Sequence, residues 1–250
     1  AVSITGCLIS ELTRRKIRLV FCDEKYSPCA EMTHLYGSHD CSAKIRTQIG
    51  WSSETKSFIW TAIVSEKIRN QSIHLKMLGH DDEAGMLNGY IAEMELNDET
   101  NREGHAAKVY FNALFGQCFS RNNDNSMNAA LNYGYSLILS AVNREVCACG
   151  YLTQIGLFHD NMFNYYNLSC DLMEPFRIIV DRLVAKKRYT SFGTEEKHEL
   201  IRLFETQVII AGQEQYLQNA IKIYCRSVFD ALNGNDSSLI RFFRFCGDEV

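Results

Sequence analysis

The sequence predicts an α+β protein that is mostly α, with a short β-rich front followed by a large helical body. Two observations carry this reading. Only two prolines, Pro28 and Pro175, occur in 250 residues, and from residue 43 onward apolar residues recur at spacings of three and four, the repeat of one helix face. The front differs: "KIRLVFCDEKYSPCAEMTHLYG" (16–37) contains two β-prone runs, "RLVFCD" and "AEMTHLY", parted by a turn-like break at Lys25–Pro28.

In chain order, a helix is expected over about 4–16, then the hairpin or strand pair. "GSHDCS" (37–42) reads as a hinge, because Gly, Ser and Asp favour turns and Ser42 is placed to cap a following helix. Helices are then expected over about 43–50, 53–78, 83–96, 101–118, 126–149, 171–188, 195–211 and 213–232. In the helix over 126–149, Gly134 permits close packing and Gly150 ends it. The division that follows is a remnant of a β-rich domain over 1–40 and an α-helical domain over 41–250. The chain opens abruptly on apolar residues without an initiator Met, so the front of the β-rich domain is expected to be missing.

Composition narrows the class. Hydrophobic residues make up 46% and charged residues 22%, ordinary globular usage that argues against disordered or collagen-like chains. No run approaches the roughly 18 apolar residues of a membrane helix, and the first ten residues lack the basic region of a signal peptide, so the expected location is the cytoplasm. The ten cysteines are scattered through a large helical chain, which favours thiols over a disulfide framework. Cys147 and Cys149 face different sides of one helix, and Cys170 completes no zinc spacing. Net charge is −4, but base concentrates in "RRKIR" (14–18) and "RIIVDRLVAKKRY" (177–189), local surfaces able to meet phosphates or simply to be solvated helix faces.

One stretch concentrates chemistry. "GLFHDNMFNYYNLSCDLMEPFR" (156–177) holds His159, Asp160, Asp171 and Glu174 among five aromatic residues, in a chain whose other acids read as surface groups. A further acid, Glu103, lies on the apolar stripe of the helix over 101–118, formed by Ala106, Ala107, Tyr110, Phe111, Leu114 and Phe115. Two readings stand side by side. In the first, both glutamates are capping-box acids, Glu103 with Thr100 as N-cap and Glu174 with Asp171, while Pro175 sits in a first helical turn. In the second, two carboxylates and one imidazole converge on a hard cation, Mg²⁺ or Mn²⁺, of the kind that activates phosphate chemistry. Spacing alone does not choose between them.

Four linked segments do add a choice. "EGHAAKVYFNALFG", "NAALNYGYSLILSAVNREV", "GYLTQIGLFHDNMFN" and "SCDLMEPFR", in that order over about 75 residues, resemble the larger of the two universal CRISPR adaptation proteins, the CRISPR-associated integrase and endonuclease, in its type II form. Weaker similarity extends through "FCDEKYSPCAEMTHLYGSHD" and "WSSETKSFIWTAIVSEKIRNQS". The resemblance implies an N-terminal β-sandwich, only partly present here, and an α-helical domain that carries the metal site and forms a homodimer. It also implies a small companion adaptation protein and double-stranded DNA as partners. Short foreign DNA would be inserted into the repeat array by metal-dependent transesterification.

Residue by residue, the resemblance puts the metal-binding and catalytic triad on Glu103, His159 and Glu174, with Asp171 a weaker candidate for the last place. His105 points off the Glu103 face, and no motif promotes Asp160. Arg177, Arg182, Lys186, Lys187 and Arg188 are candidate contacts to DNA phosphates. Two rival readings are a catalytically silent DNA-binding scaffold of the same fold and a general metal phosphohydrolase. The second lacks the Gly-rich phosphate loop that a nucleotide enzyme often has.

Overall fold

The computed structural model describes residues 3–15, 17, 19–22, 28–32 and 40–247. At the front, α1 (Gly6–Arg14) is capped by the Thr5 hydroxyl, which accepts from the Leu8 N–H at 3.2 Å. The antiparallel pair β1 (Leu19–Cys22) and β2 (Pro28–Met32) follows, in a register that sets Leu19 opposite Met32 and Phe21 opposite Ala30. This is the expected hairpin, with Pro28 opening the second strand instead of closing the turn. Of the expected hinge only 40–42 lie within the described residues. There α2 (Cys41–Ile49) starts directly after Asp40, so Ser42 sits inside the helix and does not cap it.

The helical body is built around α3 (Ser53–Met77), which the Ser52 hydroxyl caps by accepting from the Thr55 N–H. α3 is buried on more than one side, against α4 (Asp81–Ala92), α5 (Arg102–Phe115) and α8 (Arg177–Lys187). A second long helix, α6 (Ser126–Cys149), packs on α7 (Asn167–Met173), α8, α9 (Thr194–Ile201) and α10 (Leu217–Gly234). Gly134 of α6 is why α8 comes so close: a Cβ there would overlap a methyl of Val180. α6 ends as expected at Gly150, in the left-handed conformation with φ 89°. The core joins both groups through Trp60, Tyr110, Phe176 and Tyr224, all fully buried.

Four local expectations need correction. The helix expected over 83–96 stops at Ala92. The helix expected to begin at Asp171 begins at Asn167, and Pro175 falls in a 3-10 turn over 174–176 that joins α7 to α8. Proline lacks an N–H and crowds the carbonyl four residues back, so the α-helix gives way there. The helix expected over 195–211 ends in a 3-10 turn (Arg202–Glu205), after which β3 (Gln207–Ile210) and β4 (Gln213–Tyr216) form a hairpin. Its two-residue turn, Ala211 and Gly212, has φ of 52° and 75°, the positive pair that a tight hairpin needs. β5 (Arg244–Phe245) pairs with the other edge of β3. Val208 and Ile210 are buried and Gln207 and Ile209 are not, a period of two that the apolar Ile209 hides in the sequence. Finally, not all other acids are at the surface, since Glu66, Asp98, Glu145 and Asp181 are buried.

Candidate active site

Lys67 of α3 stands at the centre. Its ammonium donates to Glu103 Oε1 from α5 and, at 2.6 Å, to Glu174 Oε2 from the 3-10 turn between α7 and α8. Arg177 donates through Nε at 2.9 Å to the other oxygen of Glu174, and its guanidinium lies 4.7 Å from the centre of the Tyr135 ring. Two carboxylates and two cations are thus interleaved, with Lys67 and Glu174 buried and Glu103 and Arg177 half-buried. Burial pushes the Glu174 carboxyl up, but Arg177 and Lys67 outweigh it and bring it down to about 2. For Lys67, burial works against the charged form, and the two glutamates more than restore it, so the ammonium is held above its ordinary range.

The capping reading of both glutamates fails in this fold, and the reason is local. The backbone reverses before α5 through Asn97, Asp98 and Asn101, each with positive φ. That turn brings the Asp98 carboxylate, not Thr100, onto the helix start: it accepts from the N–H groups of Arg102 at 2.6 Å and Glu103 at 3.0 Å. Glu103 is therefore free to reach Lys67. Glu174 follows a helix that has already begun, so it has no first turn of its own to cap.

His159 enters from the loop between α6 and α7. Its Nδ1 lies 2.5 Å from Asp171 Oδ1. The buried Asp171 carboxylate also accepts from the backbone N–H groups of Leu157 at 2.6 Å, Phe158 at 3.3 Å and His159 at 3.1 Å. Asp171 is thus neither a helix cap nor placed as a ligand; it ties the histidine loop to α7. Phe158 stacks on Trp60 with ring centres 4.7 Å apart, and His159 meets both rings edge-on. The imidazole is held yet remains 39% exposed. The hydrogen bond to Asp171 raises its pKa more than burial lowers it, and the charges of Glu174 and Glu103 add to the rise.

Gly156 makes this loop possible, since a Cβ there would overlap the His159 carbonyl oxygen and lie 2.8 Å from Asp171 Oδ2. Gly156→Ala is expected to cost about 1–3 kcal/mol in thermal unfolding, as overpacking does, and to detach His159 from Asp171. The change would show as an altered imidazole nitrogen shift in NMR. An unperturbed shift would contradict it.

A buried polar layer lies behind the glutamates. The Tyr135 hydroxyl donates to Asp181 Oδ1, and the Tyr110 hydroxyl lies 2.8 Å from His74 Nδ1. Burial drives Asp181 up to about 7, against the Tyr135 hydrogen bond and the charge of Arg177. Burial likewise drives His74 down to about 4. Trp60, Lys67 and His74 stand seven residues apart and so share one face of α3. That face supplies the aromatic wall, the ammonium and the histidine of this layer.

Of the sequence candidates, Glu103 and Glu174 meet through Lys67, and His159 lies within the electrostatic reach of both. Asp160 and His105 are exposed. Arg177 is committed to Glu174 inside the site. Arg182, Lys186 and Arg188 line a cavity of about 670 Å³ together with His74, His80 and Phe245, and Arg182 lies 3.7 Å from the centre of the Phe245 ring. Lys187 instead pairs with Glu199. Sequence reasoning missed Lys67, Asp98 and Asp181. Lys67 had a signal, because it stands four residues after Ile63 and three after Val64, both buried, a lysine within an apolar stripe.

The donor set fits a hard divalent cation in its chemistry. Two carboxylates are drawn to one cation position, and beside them is an imidazole whose far nitrogen is oriented by a buried carboxylate, as metal-binding histidines usually are. Among the described residues no three His, Cys, Asp or Glu side chains form a ready-made cluster. The position between the glutamates is taken by Lys67.

The fold and site define a class: a mostly helical α+β protein with a part-buried centre of carboxylates, ammonium and guanidinium, bordered by an oriented histidine. The family model of CRISPR associated protein Cas1 matches residues 1–199, and the chain belongs to that family. A CRISPR-associated endonuclease Cas1 of Neisseria meningitidis is 38% identical over 181 residues, 72% of this chain and 60% of that protein. One from Francisella tularensis subsp. novicida is 26% identical over 247 residues, 89% of this chain and 76% of that protein. The chain thus spans less than two thirds of the Neisseria relative.

Among solved structures, the Cas6-RT-Cas1–Cas2 complex matches with TM-score 0.73 and 17% identity, covering 94% of this chain and 30% of that one. A casposase bound to integration product matches with TM-score 0.64 and 17% identity, covering 94% and 82%. A CAS1 protein from Thermotoga maritima gives 0.66 and 16%, covering 94% and 87%. At these identities the structures show a shared fold. Among the described residues, no helix is long and apolar enough to cross a membrane.

Proposed function

We propose that this chain carries the active site of a CRISPR adaptation integrase, a metal-dependent DNA endonuclease that joins short foreign DNA to a repeat array. The observation that carries the reading is the convergence of Glu103 and Glu174, 71 positions apart in sequence, on one buried cation position beside an oriented His159. Family membership and the likeness to a casposase bound to integration product support it. Glu103, His159 and Glu174 would hold Mg²⁺ or Mn²⁺, which supplies charge neutralisation at a phosphodiester and activation of an attacking hydroxyl.

The chain's own groups do the rest. Asp171 occupies His159 Nδ1 and so leaves Nε2 as the nitrogen for a ligand or reacting group. Arg177 and Lys67 keep Glu174 ionised. Phe158 and Trp60 wall the histidine against water on one side. The overall exchange is a transesterification: the 3′-hydroxyl of the incoming DNA forms a new bond to phosphorus, the bond from phosphorus to the 3′-oxygen of the attacked strand breaks, and the proton lost by the attacking hydroxyl is balanced by one taken up from solvent by the leaving oxygen. Arg182, Lys186 and Arg188 line one cavity and would be the basic groups that meet backbone phosphates. A homodimer and a small companion adaptation protein complete the proposed assembly, and the likeness to chains of Cas6-RT-Cas1–Cas2 complexes supports the companion. The proposed compartment is the cytoplasm.

The test uses full-length protein with its companion, a labelled duplex bearing free 3′-hydroxyls, and a repeat duplex. Joined product is expected only with Mn²⁺ or Mg²⁺. Glu103→Gln and His159→Ala should each lower the joining rate by at least about 100-fold, the scale of losing a preorganised charge-stabilising group. Normal joining by both variants, folded and dimeric, would sink the proposal.

A further inference from the structure

Among the described residues, Lys67 is the only side chain in an ion pair with Glu103, and it is one of two cations on Glu174. It is buried, at 8% exposure, and both of its carboxylate partners come from other elements. A lysine in this position costs desolvation and must be compensated by charge. The compensation here consists of the two acids that the reading above assigns to a divalent ion. An ammonium is a point charge with three donors and no lone pair. It can draw two carboxylate oxygens together as a metal does, but it cannot share their midpoint with one.

We propose that Lys67 is a resident counter-cation: it holds Glu103 and Glu174 in ligating position in the metal-free chain and yields that position to the divalent ion, so it sets how much metal the site requires. The proposal rests on the metal reading of the site. The two glutamates differ in their dependence on it. Glu174 keeps Arg177 at 2.9 Å when Lys67 withdraws. Glu103 has no second ion pair among the described residues, so its placement before metal arrives depends on Lys67. The lysine therefore has two opposed effects, preorganising the ligands and competing for their charge. Competition dominates, because the ion brings twice the charge to the same oxygens and Arg177 already anchors one of them.

The experiment titrates Mn²⁺ into metal-free full-length protein and follows the free-ion EPR signal, with thermal unfolding measured in parallel. Lys67→Met should tighten Mn²⁺ binding by about tenfold or more, since affinity at oxygen-rich sites follows the net charge of the ligands. Its metal-free melting temperature should fall and be regained on adding Mn²⁺. If Lys67→Met folds only with metal present, Lys67→Gln carries the same comparison. Binding by the folded variant that is no tighter than wild type overturns the role of Lys67. That result leaves the metal site standing if Glu103→Gln and Glu174→Gln weaken Mn²⁺ binding to the wild-type background. Absence of Mn²⁺ binding by wild type and variants alike overturns the metal reading, and this proposal with it.

Discussion

Glu174→Ala is expected to lower unfolding stability by about 3–5 kcal/mol, the cost of removing one partner from a buried ion cluster. Glu174 is 2% exposed and faces Lys67 on one oxygen and Arg177 on the other. Truncation would leave a buried ammonium with Glu103 alone and a half-buried guanidinium with only the Tyr135 face and its more distant acids. Glu174→Gln should cost less, because the amide fills the volume and its oxygen still accepts from one cation. Chemical denaturation of both variants, read by far-UV circular dichroism, checks the order. Equal stability of Glu174→Ala and wild type would mean that the cluster is open to water in solution. The result bears on activity assays, since a dead Glu174→Ala protein can be dead through misfolding, whereas Glu103→Gln and His159→Ala change more exposed groups.

Asp181→Asn should change the pH dependence of stability strongly. Burial raises the native carboxyl to about 7 from its ordinary 3.8. The sign follows from proton counting. Between these values the native state holds a proton that the unfolded chain has lost, so stability falls as pH rises. The contribution is fully present below about pH 4, and it is lost as pH passes through about 7. A separation of about three pKa units corresponds to on the order of 4 kcal/mol. Asn keeps an acceptor for Tyr135 and removes the ionisation, so Asp181→Asn should be more stable than wild type at pH 8 and nearly level with it at pH 4.

His159, whose pKa is also raised, contributes in the same direction but in a higher window. Its share is present below its ordinary 6.5 and is lost as pH rises through the raised native value. His74, driven by burial from its ordinary 6.5 down to about 4, acts in the opposite direction over pH 4 to 6, so the difference in urea midpoint between wild type and Asp181→Asn across that range, to which His74 contributes equally, isolates Asp181. Parallel curves for wild type and Asp181→Asn across that range would show that Asp181 ionises normally.

Much of the helical body was legible in the chain because it depends on short-range periodicity. α3 and α6 begin within a residue of their expected starts, capped by Ser52 and Asn125, and α6 ends on Gly150 where a left-handed residue is wanted. The segment from Gln207 to Tyr216 misled because β-branched residues in a short run also satisfy a helical spacing. Only the positive-φ turn at Ala211 and Gly212 separates the two readings. Glu103, His159 and Glu174 were found through motif resemblance, and their residue types alone left two accounts open.

Sequence by itself therefore determined the mostly helical class, the family, and the identity of the candidate acids and histidine. Tertiary structure decided what those groups touch. Asp98, and not Thr100, caps α5 because an Asn-Asp turn places its carboxylate there. Asp171 became the anchor of the histidine loop, and Lys67 became the partner of both glutamates, across separations of 36 and 107 residues. Periodicity and capping rules act over one or two helical turns, so they register that Lys67 lies on an apolar face. Which charges await it there is set by how α3, α5 and the α7–α8 junction pack, because a buried ammonium is stable only where the fold brings carboxylates to it.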